Sequence, residues 1–335
     1  MKEAWFYNAT ENKNVTCFLC PHNCQIKPGE RGQCNVRENI NGKLYSLVYG
    51  KIIAEHIDPI EKKPIYHILP GSSSYSIGTV GCNLSCRNCQ NWQISQLDKK
   101  SPIQGKDTTP KEIVKNAIES NCKSIAYTYT EPTIFYEFAY DCAVLARQSA
   151  IKNIFVSNGY MTPEVIHHLA PVLDAINIDL KAFTDTFYRR VCKAKMAPVL
   201  DAIRLFHESG VWVEVTTLII PGLNDTAEEL REIARFIKGV DAFMPWHVSA
   251  FHPTYKMTNR PPTPVASLRS ARDIGLAAGL HHVYVGNVPG EGGENTICPV
   301  CKVELINRYG YRTRMGNFAH GRCSECGEKI RGVWY

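Results

Sequence analysis

The sequence predicts an α/β protein in which parallel strands alternate with helices, flanked on each side by a cysteine-rich segment. Two observations support this fold class. Between residues 76 and 288, short apolar runs of strand length alternate with longer amphipathic stretches, a rhythm typical of parallel β/α units. Fourteen cysteines are present, and all but three fall into three tight groups, one inside this region and one on each side of it. The rhythm does not distinguish a closed barrel from an open sheet, but in both folds the chemistry lies at the carboxyl ends of the strands.

Seven short runs of strand length make up the predicted sheet. They are Tyr75–Val80, Ser124–Tyr129, Asn153–Ser157, Ala175–Asp179, Trp212–Ile220, Phe243–Ala250 and His282–Gly286. Helix starts are predicted between them. Thr109 and Thr162 each precede a proline, which fits an N-cap followed by proline at the first helical position. A third helix is predicted to start at Asp225, where acidic residues occupy the first turn and favour the positive end of the helix dipole.

Three regions follow from this pattern. Residues 1–75 are rich in turn residues and form a predicted metal-binding segment with four cysteines. Residues 76–288 form the predicted β/α core. Residues 289–335 open on the linker-like run Pro289–Gly293 and carry the last cysteine group, so we expect a small separate module there.

The overall composition excludes several classes of protein. The chain has 335 residues, a formal charge of +6, 44% hydrophobic and 21% charged residues, which is ordinary for a globular protein. No dense basic run occurs, so nucleic-acid binding is not expected. The first residues lack the features of a signal peptide, and no apolar stretch is long enough to span a membrane, so we expect a cytoplasmic protein without a membrane partner. Grouped cysteines in a reducing compartment indicate metal sites rather than disulfides.

The central cysteine group follows the first predicted strand. Cys82, Cys86 and Cys89 have the spacing C-x3-C-x2-C, and three thiolates on one short loop can ligate three irons of a [4Fe–4S] cluster. The fourth iron then keeps an open position, which catalysis requires. The alternative is a zinc site whose fourth ligand lies elsewhere in the chain.

The C-terminal group consists of two C-x2-C knuckles. Its members are Cys298, Cys301, Cys323 and Cys326. This pattern predicts a zinc ribbon, and a rubredoxin-like iron site is the alternative. A segment of this length cannot build a sufficient core alone, so a structural metal would hold it together.

The N-terminal group is less regular. It consists of Cys17, Cys20, Cys24 and Cys34, a spacing that differs from the ferredoxin run. We expect structural zinc here, with His22 as a spare ligand, and a second [4Fe–4S] cluster is the alternative. The three isolated cysteines, Cys122, Cys142 and Cys192, are expected to be buried thiols without a metal.

The central loop resembles that of the radical SAM superfamily. Its continuation, Gln90-Asn91, and several later stretches resemble the pyruvate formate-lyase activating enzymes. Over the chain from about Cys17 to the end, the sequence resembles more closely the radical SAM protein of the AmmeMemoRadiSam system. The stretches that carry it are residues 58–64, 70–72, 127–132 and 246–253.

This resemblance implies a full or partial (β/α) TIM-type barrel and an oxidoreductase chemistry. The cofactors it implies are a [4Fe–4S] cluster and S-adenosylmethionine, which is cleaved reductively to a 5′-deoxyadenosyl radical that abstracts hydrogen. A one-electron donor of the flavodoxin or ferredoxin class would be a partner. The substrate would be a glycyl-radical enzyme, or alternatively a small molecule or another protein. A non-catalytic zinc-binding scaffold is the alternative from a different class.

The resemblance also implies cofactor contacts at the ends of successive strands. Glu131 and Pro132 match the end of the family's Gly-Gly-Glu-Pro segment, which receives the methionyl ammonium group, but Tyr129 and Thr130 replace the two glycines. Thr130 and Glu131 are therefore candidate cofactor-binding residues.

Further candidates lie at the next strand ends. Ser157 and Asn158 match part of an Asp-Thr-Asn-Gly segment and would bind the ribose or the carboxylate. Asp179 and Lys181 match Asp-Leu-Lys, which implies that Lys181 neutralises the methionyl carboxylate. His247 matches a histidine that contacts the cofactor. Just before the third cysteine the family usually has an aromatic residue, where this chain has Asn88, so Asn88 or Trp92 is expected at the adenine.

Overall fold

The computed structural model describes residues 1–288 and 290–334. Its largest element is an eight-stranded sheet in which seven parallel strands follow one another in chain order, with one antiparallel strand, Ala54–Pro59, at the edge beside the first of them. The parallel strands are β1 (Ser73–Gly78), β2 (Ser124–Tyr127), β3 (Lys152–Ser157), β4 (Ala175–Asp179), β5 (Trp212–Ile219), β6 (Trp246–Ala250) and β7 (Val283–Gly286). All seven predicted strands are therefore present, with ends shifted by at most a few residues.

The sheet has two edges. The strand Ala54–Pro59 forms one edge and β7 the other, and no strand pairing joins them among residues 1–288 and 290–334. A closed barrel is therefore not confirmed. Residues 64–68 lie against β5, β6 and β7 instead. The ring centroid of Tyr66 lies 4.7 Å from that of His247 and 4.7 Å from that of Tyr284.

Helices connect the parallel strands. They are α1 (Pro110–Glu119), α2 (Tyr136–Gln148), α3 (Pro163–Leu169), α4 (Ala197–Glu208), α5 (Ala227–Val240) and α6 (Val265–Ala277). The predicted cap at Thr109 is a full capping box with Glu112, and Thr226 caps α5 through the Glu229 amide. Thr162 precedes α3 as predicted, but its hydroxyl donates to the Phe18 carbonyl instead of capping the helix.

Small antiparallel sheets form the two ends of the chain. The N-terminal strands are Lys2–Glu3, Tyr7–Ala9, Val15–Cys17, Cys24–Ile26, Arg37–Ile40 and Lys43–Ser46, and Lys51–Ile52 pairs with Lys106–Asp107. The C-terminal strands are Thr296–Ile297, Glu304–Tyr309, Arg312–Met315, Phe318–Ala319 and Arg322–Cys323. We call the first set the N-terminal segment and the second the C-terminal ribbon.

Two strands of the main sheet begin before the first predicted segment boundary, at residue 75. Residue 75 lies inside β1, and the strand Ala54–Pro59 already belongs to the main sheet, so the N-terminal segment ends near residue 53. The reason is that this edge strand has too little hydrophobic alternation to be recognised from sequence. The other boundary, Pro289, lies outside the described residues.

Buried ion pairs attach both ends to the main body. Arg37 of the N-terminal segment pairs with Glu137 of α2, and both side chains are buried. Arg308 of the C-terminal ribbon donates to the Tyr66 carbonyl at 2.8 Å and lies 3.7 Å from the Glu61 carboxylate. No helix within the described part of the chain is both long and apolar enough to cross a membrane.

Candidate active site

The central cysteine loop follows β1 at the carboxyl edge of the sheet. Its entry requires a glycine: Gly81 has φ +96°, and a Cβ there would lie 2.6 Å from Val36 Cγ1. The Gly81 amide donates to the carbonyl of Ile94, in the single helical turn Trp92–Ser95, at 2.8 Å. The loop is therefore closed on itself and packed against the N-terminal segment.

A second segment holds the far side of this loop. The amides of Ser85 and Arg87 donate to the carbonyls of Cys192 and Val191, both at 3.0 Å. These carbonyls belong to a π-helical turn, Tyr188–Cys192, a conformation that often accompanies functional sites. The loop thus takes its shape from a segment about one hundred residues away in sequence.

The three central sulfurs have an environment suited to a cluster. The Leu84 amide donates to Cys82 Sγ at 3.4 Å, Asn158 Nδ2 approaches the same sulfur at 3.8 Å, and Ser95 Oγ lies 3.1 Å from Cys89 Sγ. Within the described ranges, the central sulfurs do not form a group in which all ligand atoms lie within 4.8 Å of one another. Zinc–sulfur bonds of about 2.3 Å would place the sulfurs only about 3.8 Å apart, so the central sulfurs are not arranged around a single zinc ion.

Lys181 and Asp179 form an ion pair beside the central loop. Lys181 Nζ donates to Asp179 Oδ2 at 2.7 Å, and the Lys181 amide donates to the Tyr188 hydroxyl at 3.1 Å. Burial disfavours the ammonium form, but Asp179 and the nearby sulfurs of Cys86 and Cys192 raise the pKa of Lys181 well above its usual value. Lys181 is therefore a fixed cation next to a candidate cluster ligand.

Glu131 joins the ends of β2 and β3. Its buried carboxylate accepts from the Thr133 amide and hydroxyl, from the Ser157 hydroxyl at 2.8 Å and from the Asn158 amide at 2.8 Å. Burial raises the pKa of Glu131, and these donors oppose the shift. Asn158 also contacts the central loop, where its Nδ2 donates to Asn83 Oδ1 at 2.8 Å. The structure thus brings Glu131, Ser157 and Asn158 together with Cys82.

Tyr129 occupies a glycine-like backbone conformation, with φ +70°. Its hydroxyl donates to Asp58 at 2.8 Å, and Lys63 lies over its ring at 5.1 Å. Its carbonyl accepts from Asn91 Nδ2 at 2.8 Å. The side chain therefore anchors a backbone shape that a glycine would adopt without cost. Thr130 follows, and its hydroxyl donates to the Thr79 carbonyl at 2.8 Å.

His247 lies on β6 in the same register row as Asp179, through Thr216 of β5, and bonds a buried carboxylate. Its Nε2 bonds Glu214 Oε2 at 2.6 Å, and its ring stacks on Tyr284. Glu214 also accepts from the amides of Tyr66 and His67. His247 and Glu214 thus form a buried hydrogen-bonded pair that anchors residues 66–67, and the cofactor contact of His247 stays a prediction. The sequence motif did not reveal Glu214 on the neighbouring strand.

Cys192 is a site residue that the sequence reasoning missed. Its thiol lies beside the sulfur of Cys86, and this neighbour, with Lys181, lowers the pKa of Cys86 against the effect of burial. No local spacing pattern indicates this pairing, since the two cysteines belong to distant segments. Of the two predicted adenine neighbours, Asn88 has a buried side-chain oxygen without a partner among the described residues, and Trp92 stacks on Tyr255 at 5.2 Å.

The other two cysteine groups differ in geometry. In the C-terminal ribbon the sulfurs of Cys298 and Cys326 lie 3.6 Å apart, as do those of Cys301 and Cys323. All four lie within 4.8 Å of one another, and no other such cluster of three or more His, Cys, Asp or Glu ligands occurs among residues 1–288 and 290–334. The N-terminal cysteines surround a small cavity that Asn83 also lines.

The comparisons with known proteins agree with this site. The family model of the radical SAM superfamily matches residues 76–237, which include the central loop and the ends of β1 to β5. Residues 76–237 therefore form a radical SAM domain. Such a domain implies an enzyme that uses a [4Fe–4S] cluster and S-adenosylmethionine and that needs a reductant and a substrate.

Two sequence relatives are similar to this chain. It is 48% identical over 333 residues to an uncharacterized protein of Methanocaldococcus jannaschii, covering 98% of this chain and 99% of that protein. It is 24% identical over 169 residues to the pyruvate formate-lyase-activating enzyme of Clostridium pasteurianum, covering 48% of this chain and 67% of that enzyme.

Solved structures share the fold. A radical SAM methyltransferase from Sphaerobacter thermophilus has a TM-score of 0.52 at 19% identity, covering 64% of this chain and 66% of that one. SuiB of Streptococcus suis, bound to S-adenosylmethionine, has a TM-score of 0.51 at 13% identity, covering 68% and 52% respectively. At these identities the similarity concerns the fold alone.

Proposed function

We propose that Cys82, Cys86 and Cys89 hold the catalytic [4Fe–4S] cluster and that the chain cleaves S-adenosylmethionine reductively to generate a 5′-deoxyadenosyl radical. One observation carries this proposal: the three cysteines share a loop at the carboxyl edge of the sheet, and a half-buried cation, Lys181, lies beside one of them. When bound, the cluster supplies the electron for cleavage, and its fourth iron offers the open position for the cofactor.

The charged residues of the site bind and orient the cofactor in this proposal. Lys181 neutralises the methionyl carboxylate, because burying that charge without a counter-ion would be costly. Asp179 holds the ammonium of Lys181 in place and, being partly exposed, can also accept from a ribose hydroxyl. Both functions require the end of β4 to stay fixed. The hydrogen bond from the Lys181 amide to the Tyr188 hydroxyl helps to hold it in place.

Glu131 acts as a positioning residue. Its oxygens already accept four hydrogen bonds from protein donors, so we assign the methionyl ammonium to backbone carbonyls near Tyr129 and Thr130 instead. Ser157 and Asn158, which bond Glu131, then link this strand end to the Cys82 loop. The contact of His247 with the cofactor is not part of the proposal.

For the reaction, we favour hydrogen abstraction from a glycyl-radical protein, with a flavodoxin or ferredoxin as electron donor. The 24% identity to a pyruvate formate-lyase-activating enzyme supports this choice over a small-molecule substrate. A scaffold with three zinc sites is disfavoured, since the central sulfurs lack the compact spacing that the C-terminal sulfurs have.

Zinc is the proposed metal of the C-terminal ribbon. Sulfur separations of 3.6 Å are close to the value of about 3.8 Å expected for a tetrahedral zinc site. Four cysteine ligands would close the coordination shell, so the role of this metal is structural.

Substitution of one central cysteine tests the catalytic proposal. Cys86→Ala removes one cluster ligand, so the anaerobically reconstituted variant should lose the electron paramagnetic resonance signal that S-adenosylmethionine perturbs, and should form no 5′-deoxyadenosine with dithionite. Cys142→Ala, a buried thiol in α2, is the matched control and should retain both properties. Cofactor cleavage at the wild-type rate by a Cys82/Cys86/Cys89 triple alanine variant would overturn the proposal.

A further inference from the structure

We propose that the four cysteines of the N-terminal segment bind a second [4Fe–4S] cluster and not zinc. These four are Cys17, Cys20, Cys24 and Cys34. The proposal rests on the spacing of their sulfurs, on a buried arginine in the same cavity, and on the contacts that connect this cavity to the catalytic loop.

The four thiols face a common cavity without converging on one point. All four line it, and Cys17 and Cys24 are cross-strand partners in the antiparallel ladder. Yet no three of their sulfurs lie within 4.8 Å of one another, whereas the C-terminal sulfurs do. A single tetrahedral metal ion would require separations of about 3.8 Å. A cluster core of four irons and four sulfides occupies the space between its cysteines and therefore needs the wider arrangement.

Arg37, whose Nη2 pairs with Glu137, offers its remaining donors to a cluster in this cavity. It lines the cavity, is 1% exposed, and its Nη1 approaches Cys17 Sγ at 3.7 Å. Its Nε is buried and has no hydrogen-bond partner among residues 1–288 and 290–334. A cluster with four thiolates is anionic, and its sulfides accept hydrogen bonds. A zinc ion held by four thiolates would be anionic as well, so Arg37 supports an occupied metal site in this cavity. The spacing of the sulfurs is what distinguishes the cluster from zinc.

The cavity adjoins the catalytic loop. His22 Nε2 donates to the Asn83 carbonyl at 2.7 Å, and Asn83 follows the cluster ligand Cys82 in sequence. On the other side, a Cβ on Gly81 would lie only 3.0 Å from the Cys34 carbonyl oxygen. One layer of residues therefore separates the two cysteine groups. An electron taken from the flavodoxin or ferredoxin donor by the second cluster can pass to the catalytic cluster, which leaves the second cluster oxidised again.

The experiment is metal and sulfide analysis of the anaerobically reconstituted full-length chain. Wild type should contain about eight iron and eight sulfide atoms, and one zinc, per chain. The double variant Cys24→Ala/Cys34→Ala should retain about half of the iron, with the zinc unchanged. Cys122→Ala is the matched control, because this thiol is buried and lies outside the three groups, and it should match the wild type.

Two results would overturn the proposal. One is a wild-type content of about four irons with two zincs, one of which is lost in the double variant. The other is a wild-type content of about four irons and one zinc, which would leave the N-terminal cysteines without a metal. Should the double variant fail to fold, the wild-type contents decide by themselves. The Cys82/Cys86/Cys89 triple alanine variant separates this proposal from the proposed function: about four irons should remain in it, as a cluster that S-adenosylmethionine does not perturb.

Discussion

At the scale of single residues, Tyr129 explains how this chain departs from the family's glycine pair. The residue keeps the left-handed backbone conformation, with φ +70°, which costs a side chain of this size of order 1–3 kcal/mol. The hydroxyl bond to Asp58, together with the ammonium of Lys63 over the ring, offsets this cost. The stretch 58–63 therefore acts on the site by holding the end of β2.

Lys181 carries the most direct prediction about cofactor binding. Lys181→Met keeps the length of the side chain and removes its charge. A charge-assisted contact contributes about 1.5–3 kcal/mol, so we expect roughly 10- to 100-fold weaker binding of S-adenosylmethionine with unchanged iron content. Anaerobic titration of the reconstituted protein measures this affinity.

A matched control separates the charge from its position. Lys195→Met removes an exposed lysine from the segment that follows the π-helical turn and should leave the affinity unchanged. Wild-type affinity in Lys181→Met would show that this ammonium does not bind the cofactor and that the assignment of the β4 end is wrong.

At the scale of elements, we expect the C-terminal ribbon to need a metal on its four sulfurs in order to stay folded. Cys301 is exposed, so Cys301→Ser removes a ligand without disturbing the core. We expect the loss of about one zinc per chain and faster amide hydrogen exchange in residues 296–334, because a closed metal site supplies folding free energy to a small module.

Ser324 offers the control for this variant. It lies on the second knuckle between two ligands and is exposed, so Ser324→Ala should keep both the zinc and the slow exchange. An unchanged zinc content in Cys301→Ser would contradict the assignment of zinc to the ribbon.

The contact between the ribbon and the sheet should respond to acid through His67. Its Nδ1 donates to the Arg331 carbonyl at 2.8 Å, and its Nε2 accepts from the Tyr284 hydroxyl at 2.7 Å. Burial lowers the pKa of His67 from 6.5 to about 4. Between pH 6.5 and 4 the unfolded chain binds more protons than the folded one, so the free energy of unfolding falls as the pH drops. A pKa shift of this size corresponds to a loss of about 3 kcal/mol.

His67→Asn tests this prediction, because asparagine can still donate to the Arg331 carbonyl but does not titrate. The variant should be less stable at pH 7 and should lose less stability between pH 6.5 and 4, as measured by urea unfolding. His252→Asn, at an exposed histidine, should follow the wild-type profile. Equal pH slopes in wild type and His67→Asn would show that His67 does not control this contact.

At the scale of the whole molecule, the Arg37–Glu137 pair attaches the N-terminal segment to α2. Glu137 also accepts from the Trp5 amide at 2.8 Å. Removing one partner of a buried ion pair leaves an uncompensated charge, so Glu137→Gln should lower the free energy of unfolding by about 3–5 kcal/mol. Chemical denaturation of the reconstituted protein measures this difference.

The control for this prediction lies on the neighbouring helix. Glu164→Gln in α3 alters an exposed carboxylate and should change the stability by less than about 0.5 kcal/mol. A loss that small in Glu137→Gln as well would mean that apolar packing alone attaches the N-terminal segment.

The sequence by itself determined the elements and the central loop. Ala175–Asp179 is a strand with the predicted ends, and Thr109 caps the predicted helix, because hydrophobic periodicity and capping are local properties. The spacing of Cys82, Cys86 and Cys89 likewise indicates an iron–sulfur site from eight residues of chain. The family comparison confirms the class of enzyme.

Only the tertiary structure decided which distant groups meet. It placed Cys192 against Cys86, paired His247 with Glu214, and left the sheet without a pairing between β7 and the strand Ala54–Pro59 in the described part of the chain. It also distinguished the compact sulfurs of the ribbon from the wider sets in the other two groups. These features depend on contacts between segments that are far apart in sequence, and such contacts form only when the whole chain packs, so no local pattern of residues encodes them.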